Sequence, residues 1–248
     1  MLLPKEKRYK AFTLIEMLIV ILILVILGSL SLASYQRMQV VMRTNEYINS
    51  LEQDIRRIQR DAMLLDRQQG EYWPFGIGID FTEMNKDGGS GYYRVFKWCS
   101  PYAEYGNRRT TSSVPGYAHL LLGSNPNLPE NKGDGTACYD NFERRLYLPR
   151  RYLDLKPPKS EITVTTRARG LSEVKESTLG YVLFESVTGK AFFYDKQRKL
   201  INYKFIGDEV ELVPNISDLV ITIKPLRGGV TRTLTVQHLS GMMEIGVK

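Results

Sequence analysis

Residues 10–27 read KAFTLIEMLIVILILVIL, an apolar run interrupted near its start by a single carboxylate, Glu16. With its continuation to Ala33 the run holds roughly 20 residues, enough to cross a bilayer's hydrocarbon as a helix rising about 1.5 Å per residue. A carboxylate inside such a span costs about 2.5–3.5 kcal/mol on insertion scales, so it demands a compensating partner. The residues ahead of it are basic, with Lys5, Lys7, Arg8 and Lys10 set against Glu6. That bias keeps the N-terminus cytoplasmic and sends the remainder across the membrane.

The helical pattern continues beyond Ala33. Ile48, Leu51, Ile55, Ile58, Ala62 and Leu65 recur at alternating spacings of three and four, with Val41 one heptad earlier. Glu52, Gln53, Arg56, Arg57, Gln59 and Arg60 fill the other face. The spacing predicts one long helix over 12–66, apolar all round in its first half and laid on a sheet in its second. Gly28 is its soft point, since glycine costs about 1 kcal/mol against alanine inside a helix. Gln68-Gln69-Gly70 ends it.

Residues 12–16, Phe-Thr-Leu-Ile-Glu, following a basic leader and the small residue Ala11, resemble the class III signal of type IV pilins and pseudopilins. The resemblance implies cleavage between Ala11 and Phe12 by a prepilin peptidase and N-methylation of Phe12. Ala11 stands where the family usually has glycine. The resemblance further implies that Glu16, fifth in the processed chain, pairs with the N-terminal amine of a neighbouring subunit, turning a lone buried charge into a compensated one. Other pilin subunits, the peptidase and a membrane-embedded assembly platform are the implied partners. The implied location is the cytoplasmic membrane, single-pass with the C-terminal domain outside, then a pilus or pseudopilus at the cell surface. A secretory signal peptide cut after Ser31-Leu32-Ala33 is the plainer reading, but it needs neither Glu16 nor Thr13 nor the continuing helix.

The organisation expected is a leader over 1–11, a membrane or filament-core helix over 12–33, an amphipathic continuation over 34–68 and an outer β-rich domain over 69–248. The fold class is α+β, a long helix packed on antiparallel sheet, as in pilins. Phe75, Ile77, Ile79 and Phe81 alternate with small or polar residues, and 92–98 forms a second strand across the turn Asn85-Lys86-Asp87-Gly88-Gly89. Glu83 to Gly88 has some likeness to a calcium loop but puts Arg94 where the closing glutamate belongs, so a solvated turn is expected. From about 100 to 146 the chain turns to Pro, Gly, Asn, Ser and Thr, a long loop without sustained periodicity. Further strands are expected at 161–169, 180–187, 190–194, 200–205, 219–223, 231–238 and 242–247, with turns at Thr188-Gly189 and Ser240-Gly241.

The 248 residues, 43% hydrophobic, suit one anchor and one ordinary domain. The net charge of +7 falls to +4 for the chain from Phe12, a modest excess that chiefly serves solubility. Cys99 and Cys138 both fall in the part expected outside, where an even pair forms a disulfide worth about 3–4 kcal/mol on the chain-entropy argument. No phosphate loop, HExxH, GxSxG or Cys/His cluster is present, and His119 and His238 stand apart. Catalytic residues, metal ligands and cofactors are therefore not expected.

Three arginine doublets, Arg108-Arg109, Arg144-Arg145 and Arg150-Arg151, are interleaved with Tyr102, Tyr105, Tyr117, Tyr139, Tyr147 and Tyr152. Arginine on phosphate with tyrosine under bases is a recipe for holding DNA. The same stretch carries Glu104, Glu130, Asp134, Asp140 and Glu143, which nearly balance the arginines, so local ion pairs are the blander account. Two function classes compete: a structural subunit, minor pilin or pseudopilin, and a membrane-tethered adhesin or DNA-binding module that does not polymerise. Only the first needs Glu16. An extracytoplasmic enzyme with a dispersed site is the remaining class and has no motif in its favour.

Overall fold

The computed structural model describes residues 13–64, 67–84, 91–100, 127–139, 142–149, 159–167, 179–206, 209–213, 218–226, 228–237 and 243–247. A 50-residue helix, α1 (Leu14–Met63), leads the chain. Twelve strands follow among the described residues: β1 (Pro74–Asp80), β2 (Arg94–Cys99), β3 (Asn131–Asp134), β4 (Arg144–Tyr147), β5 (Ser160–Arg167) and β6 (Leu179–Glu185) make the first half. The second half is β7 (Ala191–Asp195), β8 (Tyr203–Ile206), β9 (Glu209–Leu212), β10 (Asp218–Pro225), β11 (Arg232–Gln237) and β12 (Met243–Val247). A six-stranded sheet runs β3-β4-β2-β1-β6-β7, a four-stranded sheet runs β12-β11-β10-β5, and β8 pairs with β9. Every ladder is antiparallel except β3 with β4.

The C-terminal half of α1 is the core of this arrangement. Ile48, Leu51, Ile55, Ile58 and Ala62 of the apolar stripe are all buried and Tyr47 joins them, while Val41 is half-buried and Leu65 lies outside the described residues. They pack on Ile77, Ile79, Val95, Val182, Phe184 and Phe193 of the six-stranded sheet. Leu219, Ile221, Ile223, Leu234 and Val236 of the four-stranded sheet belong to the same cluster. Polar contacts lock the helix in register: Tyr47 donates to the Gly91 carbonyl at 2.9 Å, and Tyr93 donates to Asp54. The helix stops at Met63, earlier than expected, with Leu64 as a right-handed cap. This is the α+β, pilin-like arrangement of one long apolar helix and antiparallel-rich sheet.

The central strands β1 and β6 of the six-stranded sheet are buried on both faces, unlike those of an antiparallel sheet with one solvated side. Its second face holds Phe75, Phe96, Trp98, Tyr147, Tyr181, Leu183, Phe192 and Tyr194. A register shift between Pro74 and Gly76 puts Phe75 on this face, while Ile77, Ile79 and Phe81 face the helix. Simple alternation had set all four on one side; the extra residue of a bulge reverses the parity. Gly78 lies opposite Phe96 and Leu183, and a methyl added there would lie 2.4 Å from Phe96 Cζ, so the missing side chain makes room for the ring.

The segment expected to be an unpatterned loop contains β3 and β4. Asn131 to Asp134 carries little strand propensity and β4 opens on two arginines; backbone pairing of β4 onto β2, and of β3 onto β4, makes them strands. Likewise β9 was not foreseen, and Leu200 makes only an isolated bridge to Tyr194 ahead of β8. The remaining expected strands form within a few residues of their limits, and β1 with β2 makes the expected antiparallel pair. Asn85 to Gly89, Ser240-Gly241, His119 and His238 lie outside the described residues.

Candidate assembly site on the N-terminal helix

Thr13 is the N-cap of α1, extended at φ −74° and ψ 151°. Its Oγ1 accepts from the Glu16 amide at 3.3 Å, and Glu16 Oε2 accepts from the Thr13 amide at 3.0 Å. The Thr13 hydroxyl also donates to Glu16 Oε2 at 3.0 Å. This reciprocal capping box satisfies two of the helix's free amides, and a carboxylate in the first turn is favoured by the helix dipole. The local signal is present in the sequence as Thr-x-x-Glu over 13–16, beside the lone charge in the apolar run and the resemblance that single out Glu16. The carboxylate itself is fully exposed, so it is positioned by its own helix end yet open to a partner.

From Leu14 to Leu27 the apolar side chains stand 49 to 83% exposed, with no sheet or loop among the described residues laid on them. The helix contains a window long and apolar enough to span a membrane, and none of that window is buried. Gly28 is equally open, since an added methyl would meet nothing within 4 Å, and Ser29 Oγ donates back to the Ile26 carbonyl at 2.8 Å. The helix therefore offers a continuous greasy surface headed by one carboxylate. Ala11 and Phe12, the residues of the expected processing step, lie just outside the described residues.

At the other end of α1, Cys99 and Cys138 form the expected disulfide, with their Cα atoms 5.5 Å apart. Beside it Glu71 and Lys97 make a buried ion pair, Nζ lying 3.1 and 3.2 Å from the two carboxylate oxygens. Glu71 also accepts from the backbone amides of Cys138 at 2.9 Å and Gln68 at 2.7 Å. Those amides offset the desolvation a buried pair otherwise suffers. The chain leaving α1 is thereby stitched to the disulfide before it enters β1. Nothing in the sequence spacing marks Glu71 and Lys97 as partners.

Of the arginine doublets, only Arg144 and Arg145 are described; Arg108, Arg109, Arg150 and Arg151 lie outside the described residues. Arg145 is buried, its guanidinium carbon 4.7 Å from the Tyr181 ring centre and 5.3 Å from those of Phe96 and Tyr147. Enclosed by rings, it contributes cation–π attraction to the core and does not face solvent. Tyr147, expected to interleave with the doublets, is also buried and donates its hydroxyl to Asp80; burial and that carboxylate push its pKa up. Arg144 is half-buried. Among the described residues no group of three or more His, Cys, Asp and Glu is placed to hold a metal ion.

A long helix with an exposed apolar first half, a carboxylate at its head and a disulfide-bearing β domain at its tail has the layout of a pilin-like protein. The N-terminal part of that layout is recognised directly: residues 7–32 match the family model of the prokaryotic N-terminal methylation motif. That segment is the class III prepilin signal of type IV pilins and pseudopilins, and it takes in Ala11, Phe12 and Glu16. Proteins bearing it are structural rather than enzymatic as a class. Neither the curated proteins nor the solved structures give a match.

Proposed function

We propose that this chain is a structural subunit, a minor pilin or pseudopilin of a type IV pilus-like or type II secretion-like filament. The observation that carries the reading is the methylation motif laid over the one stretch of helix left wholly uncovered. A prepilin peptidase cuts between Ala11 and Phe12 and the new amine is methylated. The subunit waits in the cytoplasmic membrane with its β domain outside, until the assembly platform draws it into the filament. There Glu16 meets the N-terminal amine of a neighbour, and the apolar surface from Leu14 onward exchanges lipid for other helices. The size of the β domain favours a minor over a major subunit by analogy with the family.

The test is the N-terminal mass of protein recovered from its host, with Glu16→Ala alongside. Processing at Phe12, with a methyl group, is expected, and Glu16→Ala is expected to reach the membrane but to be lost from filaments. A chain beginning at Ser34 refutes the reading. A Glu16→Ala subunit that enters filaments normally refutes the role given to the carboxylate and favours a tethered module that does not polymerise.

A further inference from the structure

We propose that the connection between β10 and β11 is a membrane-contact tip. Leu226 and Val230, with Arg37, Lys159 and Lys224 at the same end, seat on the anionic headgroup surface of the bilayer that α1 spans before assembly. The proposal rests on the reading of α1 as a membrane anchor, and it assigns a lipid-binding role to a part of the β domain.

Position comes first. The connection reads Pro-Leu-Arg-Gly-Gly-Val over 225–230, and its glycines adopt φ values of 57° at Gly228 and 157° at Gly229 that side chains resist. That turn brings the tip against the helix: a methyl added at Gly229 would lie 3.4 Å from Val40 Cγ1, and one at Gly228 3.9 Å from Arg37 Cγ. The apolar run ends at Ala33. Arg37 and Val40 follow it by four and seven residues, which is about 6–10 Å along the helix axis. That is the depth of the headgroup layer, since the polar regions add about 5–8 Å to each side of the hydrocarbon. The tip is thus carried at the level of the headgroups by the helix it touches.

Its chemistry suits that level. Leu226 is 62% exposed and Val230 40% exposed, and Val247, paired with Arg232 at the same end of the sheet, is 64% exposed. Among the described residues beyond α1, three of the five large aliphatic side chains left exposed sit at this end; Leu64 and Val187 are the others. Exposed Arg37, Lys159 and Lys224 lie at the same end, with Arg232 half-buried on β11 and Glu161 facing Lys224 at 3.6 Å. The amide of Leu226 donates to the Lys159 carbonyl at 2.9 Å, which holds that lysine at the tip. At the opposite end of the same sheet the described residues end instead in the pair Arg167–Asp218 and in Gln237. Apolar side chains set among lysine and arginine form an interfacial anchor, the basic residues drawn to an anionic surface.

The test uses the full-length chain in vesicles of phosphatidylcholine with and without phosphatidylglycerol. Both native cysteines are in the disulfide, so Leu226→Cys, Val230→Cys and Gln237→Cys each accept a single polarity-sensitive fluorophore. Spin-labelled lipids are expected to quench the label at 226 or 230 roughly threefold or more over that at 237, most strongly with phosphatidylglycerol. Lys159→Glu with Lys224→Glu is expected to erase that difference. Equal quenching at all three positions in a chain that floats with the vesicles overturns the proposal and leaves the anchor intact. A label shielded from both aqueous iodide and lipid quenchers overturns it in favour of a second copy of the chain. A chain that does not float with vesicles overturns the anchor reading and this proposal together.

Discussion

The two halves of α1 belong to one unbroken helix, yet they are apolar in different ways. From Leu14 to Leu27 every position but Glu16 is apolar and exposed around the full circumference. From Tyr47 to Ala62 the apolar residues keep to one stripe, each buried, while Gln53, Arg56, Arg57 and Arg60 stay in solvent. The first half carries no positional information beyond greasiness, so lipid and neighbouring helices can replace one another around it. The second is specific, because particular side chains fit particular strands. The contrast teaches that burial in the monomer, rather than hydrophobicity, separates the part of a helix that builds its own domain from the part kept for others.

Truncation tests this contrast most severely. Leu51→Ala is expected to cost about 2–5 kcal/mol through lost transfer energy and a cavity between two sheets. Ile21→Ala should leave the domain's thermal midpoint unchanged, and equal shifts for the two variants would abolish the distinction. A pH scan probes the hairpin that clamps the buried half. Gly189 accepts from Gln59 at 3.2 Å, and the Val187 amide donates to the Ala62 carbonyl at 3.4 Å. Beside them Glu185 is buried, with Thr188 donating to Oε2 and no hydrogen bond to Oε1. Burial pushes its pKa up to about 7, against the smaller opposing pulls of Thr188 and Lys190.

A carboxyl raised in the folded state binds its proton more tightly there than in the unfolded chain. Its contribution is whole below about pH 4.5, fades as pH climbs to about 7 and is absent above, a loss of about 3 kcal/mol. Denaturant titrations of wild type and Glu185→Gln should differ in slope over that window; matching slopes would clear Glu185 of the effect. The smallest expected effect lies at the exposed half. Thr13→Ala removes the cap, costs about 1 kcal/mol of local helix stability and should speed amide exchange in the first turn about fivefold. The domain's own midpoint should not move. A shift in it would mean that the two halves are coupled.

The buried stripe and most strands were legible because each is written in periodicity, and the disulfide because two cysteines leave one pairing. The parity of Phe75 was not, since a bulge adds a residue that no alternation rule anticipates. Strands β3 and β4 were hidden by composition: Asn131 to Asp134 is wholly polar and exposed, and Arg144-Arg145 has the look of a surface doublet. Arg145 is a core residue because three rings from β2, β4 and β6 happen to enclose it, a coincidence of tertiary packing. At the helix head, Thr13 and Glu16 could have been paired from sequence, as the capping box is a local signal.

The continuity of α1 also has a mechanical meaning. Its 50 residues form a rod about 75 Å long, and only the far half is bonded to the rest of the molecule. Tension applied at the near end travels along hydrogen bonds that lie parallel to the pull and reaches the β domain as shear, distributed over about five turns carrying buried side chains from Thr44 to Ala62. Loaded in that direction, the contacts must give way together rather than peel one after another. The disulfide and the Glu71–Lys97 pair sit at the distal limit of the sheared zone, where slip of the rod past the sheets would have to end.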